Sequence, residues 1–103
     1  MKQLVTVIVG TRFRGLSAID TLIRLEIGAE LDLVREDNPH DPQAVACYSG
    51  GTHLGYVPMM TRGPVAVALD RGEKLRARLI RRAECHQGGR FLTREPMIEI
   101  TSV

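Results

Sequence analysis

The 103-residue sequence predicts a mainly β fold with minor α, a small, partly closed barrel of OB-like or SH3-like shape. It is expected to hold five to six strands and one or two short helices. Three observations predict this. Several short runs alternate apolar with polar residues, glycines and prolines punctuate those runs, and only one stretch carries a clear helical stripe.

Residues 4–9, Leu4-Val5-Thr6-Val7-Ile8-Val9, are a β-branched run ending at Gly10. The run is apolar on both faces and reads as a central strand. Residues 11–15 read as a loop, and the short, mixed stretch 16–22 as a helical turn. Residues 30–35 alternate, with Leu31 and Leu33 on one face. Residues 44–48 form the next strand, and Gly50-Gly51 turns it into residues 53–57, which Pro58 stops. Thr61 then offers an N-cap, with Pro64 tolerated in the first turn and Gly72 as the stop. Val65, Ala68 and Leu69 make the apolar stripe of this helix. Residues 74–79 alternate strictly, basic outward and apolar inward, and a β-bulge at Ile80-Arg81-Arg82 would restore the broken phase. Gln87-Gly88-Gly89-Arg90 reads as a second hairpin turn. Residues 97–101 close the set, after Pro96 at a strand start.

Length and composition suit one domain over residues 1–103, able to bury roughly 60–70% of its unfolded surface. Charged residues are a quarter of the chain, as in folded rather than disordered sequences. No apolar run approaches the roughly 18–20 residues that cross a bilayer. The N-terminal run is bounded by Gly10-Thr11-Arg12 with no small-residue cleavage site, so it reads as a strand and not a signal peptide. Cys47 and Cys85 form no CxxC pair; Cys47 reads as a small buried apolar residue, and the cytoplasm is the expected compartment. Net charge is only +2, but its distribution is uneven. Residues 71–94 hold eight basic residues against Glu73 and Glu84, whereas residues 25–70 hold seven acidic residues against Arg35 and Arg62. One basic face is the electrostatic footprint of nucleic-acid binding. Arginines that merely solvate an outer strand would give the same count.

Four groups of residues could bind a ligand. In Arg12-Phe13-Arg14 an exposed ring would stack on a base while guanidiniums hold phosphates; alternatively Phe13 tucks into the core. In the polar stretch Asn38-Pro39-His40-Asp41, Asp41 can accept from a hydroxyl and Asn38 can donate and accept. The same residues beside prolines commonly bond their own backbone as Asx turns. Tyr56 follows Gly55, and a glycine there lets a ligand or another backbone come close. It can stack or hydrogen-bond, or be a half-buried barrel tyrosine. Lys74, Arg76, Arg78 and Arg82 form a basic row suited to tracking phosphates as a secondary surface. Asp37, His40 and Asp41 superficially suit a hard cation, but nothing holds them on one rigid face and no partner among His53, His86 and Cys85 is specified. No metal or cofactor is expected. Neither GxSxG, a phosphate-binding glycine loop nor HExxH occurs, and Ser17 and Ser49 have no identifiable base. The chain does not read as an enzyme.

Val9-Gly10-Thr11-Arg12-Phe13, the Asn38-to-Asp41 stretch and His53-Leu54-Gly55-Tyr56-Val57-Pro58 stand in an order that resembles the HIRAN domain, over residues 7–79. That family sits at the N-terminus of some fork-remodelling helicases and occurs as small stand-alone bacterial proteins. The resemblance implies an OB-like barrel that binds the free 3′ end of single-stranded DNA in repair or fork processing. It implies that Arg12 and Phe13 grip the strand end, that Asp41 takes the 3′-hydroxyl and that Asn38 supports this pocket. Two positions depart from the family pattern. Arg14 stands where a second aromatic is frequent, and Tyr56 where histidine can occur. The rival expectation is a module that docks a nuclease or helicase and has no DNA affinity of its own.

Overall fold

Alternation dictates a curled sheet, and the computed structural model, which describes residues 2–86 and 92–103, contains one. Along the chain run β1 (Gln3–Val7), a 3₁₀ turn (Thr11–Arg14), α1 (Leu16–Arg24), β2 (Glu30–Asn38), β3 (Asp41–Ser49) and β4 (Thr52–Tyr56). There follow α2 (Arg62–Asp70), β5 (Leu75–Arg81), β6 (Glu84–Cys85), β7 (Leu92–Arg94) and β8 (Met97–Ser102). Six strands form an antiparallel sheet in the order β1-β8-β5-β2-β3-β4, and β6 and β7 make a separate small ribbon. Leu31, Ala77 and Leu79 from alternate positions of β2 and β5 point inward with Val45, Cys47, Leu54, Ile98 and Ile100. Leu22 of α1 and Val65 and Ala66 of α2 complete this core. Burial pushes the Cys47 thiol up to about 12, so it packs as an apolar group.

The two edges of the sheet meet. Beyond β1, Val9 bridges Tyr56 through a reciprocal pair of backbone hydrogen bonds of 2.9 Å each. Gly55 permits this approach. Its φ is +149°, and a Cβ there would collide with the Val9 carbonyl oxygen and lie 2.9 Å from Ile8 Cγ2. The close neighbour that the glycine admits is therefore backbone.

Several expectations are corrected. β1 is an edge strand, not a central one: Val5 is 46% exposed, while Thr6 and Ile8 face inward. Apolar residues on both faces of the run reflect barrel closure, with Val7 and Val9 half-buried. Residues 16–24 are a full helix, since the stripe of Ala18, Ile19, Leu22 and Ile23 is complete only when read to Arg24. Residues 11–14 wind as a 3₁₀ turn rather than an irregular loop. Thr61 occupies the N-cap of α2 without capping it. Its hydroxyl bonds Thr6 Oγ1 at 2.7 Å and the Pro58 carbonyl at 3.3 Å, a tertiary tie that displaces the local one. The bulge between Leu79 and Arg81 lies where the phase break predicts it. The turn expected at residues 87–90 lies outside the described residues. Among the described residues no helix is long and apolar enough to cross a membrane.

Candidate nucleic-acid interface

Barrel closure places the 3₁₀ turn that carries Arg12, Phe13 and Arg14 against β4, with Arg14 beside Tyr56. Phe13 is 68% exposed, which excludes the reading that it tucks into the core. Arg12 Cζ lies 4.6 Å from the Phe13 ring centroid, covering one face of the ring. Arg14 Cζ lies 5.8 Å from the Tyr56 centroid, and its Nη1 is 3.4 Å from His53 Nδ1. Among the described residues neither Arg12 nor Arg14 has a carboxylate within ion-pair distance, unlike Arg24, Arg35, Arg62 and Arg94.

Cross-strand register puts Asp32, Val34 and Glu36 of β2, Ala44, Ala46 and Tyr48 of β3, and His53 and Tyr56 of β4 on one outer face. The rings form a row along it. Tyr48 stacks on His53 at 4.7 Å and 13°, and His53 meets Tyr56 edge-on at 4.9 Å and 77°. His53 Nε2 lies 3.1 Å from the Gly55 carbonyl, which only accepts, and Nδ1 faces Arg14, which only donates. Both contacts are satisfied when Nε2 donates to the carbonyl and Nδ1 accepts from Arg14. The Tyr56 hydroxyl donates to Glu36 Oε1 at 2.9 Å. Burial first, and then this bond and the Glu36 charge, raise its pKa above the ordinary 10.0. At neutral pH Tyr56 is a donor already engaged.

Asn38 and Asp41 occupy the tip of the β2–β3 hairpin, where they do what Asx residues do locally. Asn38 Oδ1 accepts from the backbone N–H of His40 at 3.0 Å and of Asp41 at 2.7 Å. Asp41 Oδ1 accepts from the Gln43 N–H at 3.0 Å and from Arg62 Nε at 3.0 Å. Among the described residues no donor reaches Asp41 Oδ2. Two arginines fasten this tip to both ends of α2. At its start Arg62, whose side chain is 15% exposed, also donates to the Met59 carbonyl at 2.8 Å. At its end Arg35 donates to the Pro42 and Glu36 carbonyls at 2.6 Å each and pairs with Asp70 at 3.1 Å.

The expected residues thus fall into two groups. Arg14 touches Tyr56 and Arg12 covers Phe13, whereas Asn38 and Asp41 share no hydrogen bond or ion pair with them. The link between the groups is Glu36, two residues before Asn38, which receives the Tyr56 hydroxyl. In the basic row, Arg76 pairs with Glu30 at 3.2 Å, Arg78 with Glu99 at 3.3 Å and Arg82 with Glu26 at 3.9 Å. Only Lys74 of that row lacks a carboxylate among the described residues. Asp37, His40 and Asp41 assemble no cation cage: among the described residues no three His, Cys, Asp or Glu side chains come together as metal ligands would. The sequence reading missed Glu36, Tyr48, His53 as a ring, and Arg62. Gly50-Gly51 as a two-residue turn would have paired Tyr48 with His53; nothing local signals Arg62.

Phe13 stands between two clefts. One, of about 490 Å³, is lined by Arg12, Arg81, Arg94 and Glu95 among others. The other, of about 300 Å³, is lined by Arg14, Ser17, Ala18, Thr52 and His53 with Phe13.

The profile of the HIRAN domain matches residues 1–93. Among solved structures, the HIRAN domain of human HLTF superposes with a TM-score of 0.71 at 16% identity, over 98% of this chain and 74% of that one. A protein from Lactobacillus plantarum gives 0.68 at 22% identity, over 98% of this chain and 93% of that one. At these identities the two structures share the fold. No curated protein matches the sequence.

Proposed function

Because the chain belongs to the HIRAN family, a family of DNA-binding domains, we propose that it binds single-stranded DNA at a free 3′ end and performs no bond chemistry. The observation that carries this reading is Phe13, an exposed ring with the Arg12 guanidinium over one face and Arg14 next to it in the chain, neither arginine paired with a carboxylate among the described residues. Such a group suits a base stacked on the ring and phosphates on the arginines, worth about 1–3 kcal/mol for the stack. Asp41 Oδ2 accepts from the terminal hydroxyl; its other oxygen is held by Arg62 and Gln43, and Asn38 shapes the loop that presents it. Tyr56 supports the strand through its ring, since its hydroxyl is on Glu36. Lys74, Arg76, Arg78 and Arg82 serve as a secondary phosphate surface, one that must give up three ion pairs to act. A duplex would be met at frayed ends, which suits a part in repair or fork processing, and the cytoplasm is the compartment we propose. The rival reading, a docking module for a nuclease or helicase, draws on Met59 and Met60, which are 76% and 95% exposed beside α2.

Competition separates the two. A linear strand is expected to displace a bound fluorescent oligonucleotide at least tenfold better than a closed circle of the same sequence. Equal competition by circle and line would overturn end recognition, and absence of any DNA binding at low salt would leave the docking reading.

A further inference from the structure

We propose that the cleft of about 300 Å³ between the 3₁₀ turn, the first turn of α1 and the β3–β4 turn is a nucleobase pocket that reads guanine. This rests on the strand-binding reading and deepens it, moving Arg14 from a phosphate to a base edge and leaving the phosphate to Arg12.

The lining carries each part such a pocket needs. Phe13 and His53 supply aromatic lining, His53 with one ring face already stacked on Tyr48. His53 supplies nothing else, because the Gly55 carbonyl and Arg14 occupy both of its nitrogens. Among the described residues Arg14 is held by a long contact of 3.4 Å through Nη1 and by the Tyr56 ring, with no carboxylate competing for it. Its Nε and Nη2 remain to present a planar fork that donates and cannot accept. A donor-only fork selects a base edge with two adjacent acceptors, which guanine offers in O6 and N7. Adenine sets a donor beside N7, and the two carbonyls of thymine are separated by the N3–H donor, with a methyl group beside O4. Cytosine has acceptors at O2 and N3 but only one donor group. Ser17 and Thr52 add hydroxyls that can accept from the N1–H and N2 amino group on guanine's next edge. Arginine at this position departs from the aromatic frequent in the family, so a stacking platform is exchanged here for an edge reader.

The test is fluorescence anisotropy with oligothymidine carrying a single guanine, or a single cytosine, at each of the last three positions in turn. Each strand is measured with a 3′-hydroxyl and with a 3′-phosphate, for the wild type, Arg14→Lys and Ser17→Ala. The wild type is expected to bind one placement about 5–150-fold tighter than the all-thymine strand. In Arg14→Lys, which keeps the charge and loses the fork, that ratio is expected to fall to about one whatever the overall affinity. Ser17→Ala should reduce it in part. Equal binding of all placements, a stronger preference for a cytosine at the same place, or a guanine preference that survives in Arg14→Lys would overturn the pocket. A guanine preference indifferent to the 3′ terminus would uphold the pocket and overturn end recognition. Absence of binding would overturn both.

Discussion

Replacing Gly55 with alanine is expected to lower stability by about 2–4 kcal/mol, or roughly 10–25 °C in Tm for a domain of this size. Two costs combine. The backbone at φ +149° is one that L-residues rarely adopt, and the new methyl would occupy the space of the Val9 carbonyl oxygen. Relief requires Val9 to move away, which breaks the reciprocal bond with Tyr56 and opens the barrel at its seam. The 3₁₀ turn with Arg12, Phe13 and Arg14 hangs from that seam, so DNA affinity should fall with stability. Gly50→Ala is the comparison. It lies in a left-handed turn with nothing within 4 Å of the added carbon, so it should cost about 1–2 kcal/mol and leave affinity near the wild type's. Thermal melts of the two variants decide the matter. Equal, small losses would mean that the Val9–Tyr56 approach is not what holds the barrel closed.

Phe13→Ala is expected to do the opposite, weakening binding to a short single strand about 5–150-fold while changing stability by less than about 0.5 kcal/mol. The ring is 68% exposed and buries little on folding, so its removal opens no cavity. Arg12 covers one of its faces, so a base is expected on the other, and Phe13→Trp should retain or improve affinity. A titration and a melt on the same samples test this. A lowered Tm with unchanged affinity would make Phe13 a packing residue and remove the anchor of the proposed site.

The fold was legible where structure is local. Strict alternation in residues 74–79 oriented β5 correctly, Gly50-Gly51 marked a true hairpin, and the broken phase at Ile80 marked a true bulge. It was illegible where tertiary contacts decide. The run at residues 4–9 looked central because barrel closure half-buries the outer residues of an edge. Thr61 looked like a cap because its hydroxyl partner, Thr6, is 55 positions away. The candidate site divides in the same way. Asn38 and Asp41 behave as their turn chemistry implies, and the exposure of Phe13 follows from its place in a short turn between two glycines. Arg62 on Asp41 and Glu36 on Tyr56 join residues about twenty apart, and no periodicity carries that information.

The central claim is that Asp41 meets the hydroxyl of a 3′ end. It is tested most directly by anisotropy with one short strand ending in a 3′-hydroxyl or a 3′-phosphate, for the wild type and Asp41→Ala, with melts confirming that the variant is folded. A hydrogen bond to a carboxylate contributes about 1.5–3 kcal/mol, so the wild type should prefer the hydroxyl by roughly 10–150-fold and the variant should show no preference. Equal affinity of the wild type for both ends, or a hydroxyl preference that persists in folded Asp41→Ala, would contradict it.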